Sequence, residues 1–139
     1  MVLVSLLYVS RSFIDFPRDE WKVVDIVRVA RERNRLLNVT GALMFTETHF
    51  AQVLEGPATA VDELMASIRR DDRHSDVTVI ETEAMSRRRF GDWSMAYWGP
   101  AGLVEGQLEP VLAVAAGRGS VFASRDLIAL MMQLAENGE

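Results

Sequence analysis

The chain has 139 residues, 49% of them hydrophobic, and 15 basic against 20 acidic side chains give it a net charge of -5. That is one ordinary domain with a short extension and enough apolar content for a packed core, and its acidic balance lacks the general electrostatic footprint of a nucleic-acid binder. No apolar run approaches the ~18 residues of a membrane span, MVLVSLLYVSRSF lacks the basic region and cleavage site of a signal peptide, and zero cysteines exclude disulfides, Cys-ligated metal and thiol chemistry, so a soluble cytoplasmic protein is expected.

Val2 to Val9 is rich in Val and Leu and reads as a strand, closed by Ser10-Arg11-Ser12, with Tyr8 near its end. After Pro17, with Asp19 and Glu20 suiting the positive end of a helix, an amphipathic helix runs to about Arg35. Its inner stripe is Val23, Ile26, Val27, Ala30 and Asn34, which sends an amide inward at the C-terminal end of the buried face. Gly41 to Thr46 and His49 to Glu55 read as two strands of a hairpin turning near Glu47-Thr48. Within HFAQVLEGP, Phe50, Gln52 and Leu54 share one face and Ala51 and Val53 the other. A glutamine among apolar neighbours requires hydrogen-bond partners, so something polar must face that strand.

Pro57 is placed to open a second helix with the stripe Val61, Leu64, Met65 and Ile68, which ends in the charged segment Arg69 to His74. Val77 to Glu83 and Trp93 to Trp98 supply two further strands, separated by Arg87-Arg88-Arg89, which in an acidic chain reads as a solvated turn. The order predicts an α+β fold, a ferredoxin-like βαββαβ sandwich with an added strand and both helices on one face. From Gly99 the pattern changes. Pro110 opens a short apolar segment, Gly117-Arg118-Gly119-Ser120 breaks it, and Ala123 to Ala135 forms a helix with a broad stripe of Leu127, Ile128, Leu130, Met131 and Leu134. This extension is expected to cover the open sheet face or to pair with another chain, making a homodimer. The expected division is a domain at 1–98 and a C-terminal helical extension at 99–139.

In such a fold the first and third strands are neighbours at the sheet centre, so Tyr8 and Gln52 can meet beneath the helix pair. At this point LVSLLYVS, RNRLLNVTGAL, HFAQVLEGP, IRRDDRHSDV and RRRFGDWSM, spread over about residues 2 to 98, together resemble the BLUF family, blue-light sensors that use flavin, here in its short single-domain form. The resemblance implies a flavin between the two helices, FAD as the first choice with FMN or riboflavin able to fill the same ring pocket. Ile26 and Ile68 would flank the ring, Asn34 would bond its polar edge, and Gln52 would bridge that edge and Tyr8. Asp71, Arg73 and His74 would lie near the ring or its ribityl chain, and Trp93 and Met95 would carry the signal from Tyr8 and Gln52 outward. It implies no catalytic residue. Nothing in the chain resembles an effector domain, so output is expected through a separate protein partner or through assembly, and the acidic charge and lack of a long apolar run give no expectation of nucleic acid or membrane. Where many members carry asparagine before the Asn34 position, this chain has Arg33, a charge directed either to cofactor phosphates or to solvent.

Taken singly, each residue has a plainer reading. Gln52 would be a satisfied amide, Asn34 a helix end in left-handed geometry, Tyr8 and Trp93 core aromatics, Met95 a gap-filler, and Arg73-His74 a solvated helix end. The motifs in combination outweigh these. His49 faces away from Gln52 with no second histidine nearby, so no metal site is expected. Two alternatives are a ferredoxin-like small-molecule regulatory module insensitive to light, and an acylphosphatase-like hydrolase, whose Gly-rich anion loop VSRSFIDF lacks.

Overall fold

The computed structural model describes residues 2–15, 18–91, 96–98, 102–120 and 122–137. Strand β1 (Leu3–Ser12), helix α1 (Glu20–Leu36), the hairpin β2 (Thr40–Phe45) and β3 (His49–Pro57), helix α2 (Ala58–Arg70) and strand β4 (His74–Met85) follow one another, and β5 (Ala96–Trp98), α3 (Gly102–Ala115) and α4 (Ala123–Asn137) complete the chain. The sheet order is β4-β1-β3-β2-β5. The first four strands pair antiparallel, as in a ferredoxin-like sandwich, and β5 adds parallel to β2.

Both central strands are apolar on both faces, as strands covered twice must be. Leu6, Tyr8, Phe50 and Leu54 pack under α1 and α2 against Val23, Val27, Val61 and Leu64. Leu7, Val9, Ala51 and Val53 face the opposite way, against Leu108 and Val111 of α3 and Leu127, Ile128 and Met131 of α4. The C-terminal helices thus cover the second sheet face, and Leu127, Ile128 and Met131 of the α4 stripe are buried within their own chain, with Leu130 and Leu134 partly buried beside them. Ser124, at the start of α4, donates a hydrogen bond to the Glu81 carboxylate on β4.

Several boundaries differ from expectation for local reasons. Pro57 ends β3 with extended backbone (ψ 142°) and the helix begins one residue later. Helix α3 starts at Gly102 and carries Pro110 inside it. The proline withholds a hydrogen bond from the Gly106 carbonyl, and Gly106 is exposed, so water can supply it. Asn38, not Asn34, takes the left-handed conformation after α1 (φ 60°). The Val39 N–H then bonds the Asn34 carbonyl at 2.8 Å and the Asn38 N–H that of Arg35 at 3.3 Å, a Schellman closure that leaves Asn34 helical. Gly41 is required by packing, since a Cβ there would stand 2.0 Å from the Val53 carbonyl oxygen.

Arg87-Arg88-Arg89 is not a solvated turn beyond Arg87. Arg88 donates to Thr40 Oγ1 and the Glu55 carbonyl at 3.0 Å and to the Asn38 carbonyl at 2.8 Å. The fully buried Glu55 carboxylate accepts the Arg89 and Phe90 backbone N–H groups at 2.8 and 3.0 Å and the Thr40 hydroxyl at 3.0 Å. These bonds tie the segment leading to β5 onto the end of β3. Glu55→Ala strips the Arg89 and Phe90 N–H groups and the Thr40 hydroxyl of their acceptor and should cost roughly 2–4 kcal/mol. Urea unfolding measures this, and a loss under about 0.5 kcal/mol, the range of a neutral surface change, would refute the anchoring role.

Candidate functional site

Antiparallel pairing sets Tyr8 directly opposite Gln52, with Leu43 of β2 opposite Gln52 on its other side. Strand alternation turns all three toward α1 and α2. The Tyr8 hydroxyl donates to Gln52 Oε1, and both side chains are buried. Burial pushes the Tyr8 phenol well above its ordinary pKa, the nearby Asp71 carboxylate pushes the same way, and Arg33 opposes them. The phenol is therefore a protonated hydrogen-bond donor throughout the neutral range.

This pair forms part of the wall of a cavity of about 330 Å³ between the two helices and the sheet, within the range typical of ligand pockets, roughly 300–1,000 Å³. Ile26 from α1 and Ile68 from α2 contribute apolar walls, joined by Leu43, Phe50, Leu54 and Leu64. Asn34, almost wholly buried, lines it from the last turns of α1. Asp71, Arg73 and His74 line it from the turn between α2 and β4.

All three of those groups are committed within the protein. The Arg73 guanidinium grips Asp71 through Nε and Nη2 at 2.6–3.2 Å, which holds the Asp71 carboxyl below the usual range. Nε2 of His74 donates to the Ile68 carbonyl at 2.7 Å, and Nδ1 shares a hydrogen bond with the Ser10 hydroxyl at 2.7 Å. The imidazole also stands edge-on to Tyr8 and Phe50, with ring centroids at 6.4 and 6.0 Å. His74 thus buttresses the Tyr8 ring and lines the cavity.

Tyr8, Ile26, Asn34, Gln52, Ile68, Asp71, Arg73 and His74 therefore meet at one cavity, while Trp93 and Met95 lie outside the described residues. Arg70 and Ser67 of α2 and Val29 of α1 also line it and were not singled out in the sequence. Ser67 and Arg70 follow Leu64 at three-residue spacing, a signal that points to one side of a helix but not to a ligand. Among the described residues no group of three potential metal ligands occurs, and no helix is long and apolar enough to cross a membrane.

The sequence profile of BLUF domains, described as sensors of blue light using FAD, matches residues 3–96. The chain belongs to the BLUF family. It is 36% identical over 89 residues to photoactivated adenylate cyclase subunit alpha of Euglena gracilis, a stretch that is 64% of this chain and 8% of that protein. It is 35% identical over 94 residues to the blue light- and temperature-regulated antirepressor BluF of Escherichia coli (strain K12), covering 68% of this chain and 23% of that one. The chain spans less than a quarter of the length of these two relatives. The dark-state structure of the BLUF protein BlrB superposes with a TM-score of 0.75 at 32% identity, over 97% of this chain and 96% of that one. BLUF domains are flavin-based blue-light sensors, and neither the cavity nor these relatives favours the regulatory-module or hydrolase alternatives.

The residues present fit a flavin. Apolar walls suit its ring, amides that both donate and accept suit its polar edge, and Arg33 Nε, buried with no acceptor, supplies a donor that an oxygen-rich ligand would satisfy.

The BLUF phenol also yields a stability prediction. As pH rises through 10, the ordinary tyrosine value, the unfolded chain releases the Tyr8 proton before the folded one does, so stability falls above that pH. Tyr8→Phe removes this contribution. Its unfolding midpoint should decline less between about pH 9 and 11 than that of the parent chain, and equal declines would show that the phenol is not perturbed.

Proposed function

We propose that this BLUF domain holds an oxidised flavin, FAD in preference to FMN or riboflavin, in the cavity between α1 and α2, and reports blue light by rearranging hydrogen bonds at Tyr8 and Gln52. The observation that carries the reading is the buried Tyr8–Gln52 hydrogen bond at the wall of that cavity. Bound flavin supplies the absorption of blue light and, once excited, a strong oxidant.

The remaining steps belong to the chain. Ile26 and Ile68 would enclose the ring, Asn34 would orient its polar edge, and Asp71, Arg73 and His74 would form the floor beside it. Tyr8 holds an oxidisable phenol whose proton already lies on a hydrogen bond to Gln52. Gln52 has a carbonyl and an NH2 group at one side-chain end, so rotation or tautomerisation exchanges acceptor for donor without moving the backbone. The exchange can bias a conformational equilibrium by no more than the hydrogen-bond free energy it redistributes, ~1–3 kcal/mol.

The route outward runs along the sheet. Gln52 lies opposite Leu43, and Leu43 opposite Tyr97 of β5. Residues 1–98 would act as the sensor, Trp93 and Met95 as relays, and residues 99–139 as the output element toward a separate protein partner. The partner need not resemble the cyclase or antirepressor relatives. No chemical step is assigned to this chain.

Native purification should give yellow protein whose absorption shifts reversibly to the red under blue light. Tyr8→Phe and Gln52→Leu should stay yellow and lose that reversible shift, since neither can exchange the hydrogen bond. Asn34→Ala should weaken flavin affinity by roughly 5- to 150-fold. Colourless protein that takes up no added flavin, or a Gln52→Leu variant with an ordinary light response, would overturn the proposal.

A further inference from the structure

The cavity is electrostatically unlike the chain around it. A protein of net charge -5 sets three arginines, Arg33, Arg70 and Arg73, against a single carboxylate, Asp71, along this wall. Asp71 and Arg73 neutralise each other in a close pair, which leaves two cationic side chains without a counter-charge in the wall.

Arg33 reaches from the last turn of α1 to α2, donating through Nη1 to Ser67 Oγ at 3.0 Å. Its Nε–H is buried and meets no acceptor. Such a donor is rare, because burial removes water without returning a partner. Arg70, exposed in the last turn of α2, makes no hydrogen bond or ion pair with another described residue. Cations at helix C-termini are favoured by the dipole, which accounts for Arg35 in the same turn of α1, and Arg69 in the last turn of α2 also donates to the Val77 carbonyl at 3.3 Å. The dipole does not account for an arginine drawn inward until one of its donors lacks a partner.

We propose that Arg33, assisted by Arg70, binds the phosphate of a flavin nucleotide, so that this pocket selects phosphorylated flavins over riboflavin. The inference rests on the flavin reading above and adds a specificity that the ring-binding residues cannot provide, since riboflavin presents the same ring to Ile26, Asn34 and Gln52. A phosphate monoester carries about -1.5 to -2 charge at neutral pH and three acceptor oxygens, which matches an unsatisfied guanidinium donor in a wall that also carries Arg70.

The test uses the full chain stripped of flavin and titrated with riboflavin, FMN and FAD, with binding followed by flavin fluorescence. FMN and FAD are expected to bind at least about tenfold more tightly than riboflavin, the worth of one charge-assisted hydrogen bond. The preference should shrink as salt is raised, because the attraction to a partly exposed charge is screened. Arg33→Gln should bring the FMN-to-riboflavin ratio to within about twofold of unity, Arg33→Lys should keep part of the preference because the charge remains, and Arg70→Gln should lower it by about threefold. Three flavins bound equally by the parent chain, or a ratio unchanged by Arg33→Gln, would overturn the phosphate contact while leaving the flavin reading intact. Failure to bind any of the three would overturn both.

Discussion

The register between β1 and β3 is the constraint on which the site depends. Tyr8 and Gln52 face each other because the two strands pair without slippage from Leu3 and Pro57 to Arg11 and His49. A shift of one residue would carry Tyr8 to the α4 side and put Leu7 or Val9 in its place. The register is held from both sides of the sheet, since each face of both strands is buried against its own helix pair. A polar pair can therefore sit in the middle of a core without loosening it. His74, bonded to Ser10 and to the Ile68 carbonyl, closes the cavity from the next strand and packs on Tyr8.

The parts of the site legible in the sequence are those carried by a single periodicity. The alternation of HFAQVLEGP separates Gln52 from Ala51 and Val53, and the helical stripe carries Asn34 inward, whatever the rest of the chain does. Residues whose position depends on a distant partner were not legible. Arg88 and Arg89 look like a solvated basic run until Glu55, more than thirty residues earlier, is seen to be buried beneath them. Arg33 lies at the edge of the α1 stripe, one position before Asn34, where periodicity permits either solvent or cavity, and Ser67 on the facing helix decides the matter. Pro110 misleads in the opposite way, because a strong local signal for a helix start is overridden by an exposed glycine four residues earlier and by apolar packing on the sheet.

Polar groups at the cavity fall into two kinds. Arg73, Asp71 and His74 already satisfy one another or the backbone, so their geometry is set before any ligand arrives. Arg33 has a donor still unmatched. Preorganised groups fix shape and orientation at little entropic cost, and an unmatched donor rewards only a ligand bearing the right acceptor. Shape and discrimination are thus assigned to different residues.

The two-sided central strands also have an evolutionary consequence. Since neighbouring residues on β1 and β3 point to opposite faces, substitutions at even positions such as 8 and 52 act on the cavity, and those at odd positions such as 9 and 53 act on the seat of α3 and α4. A lineage can retune how the chain responds to its ligand, or exchange what the C-terminal helices present to their surroundings, by changes that share a strand but scarcely share contacts. Modularity that other proteins obtain by joining domains is available here within one sheet, at the spacing of a single residue.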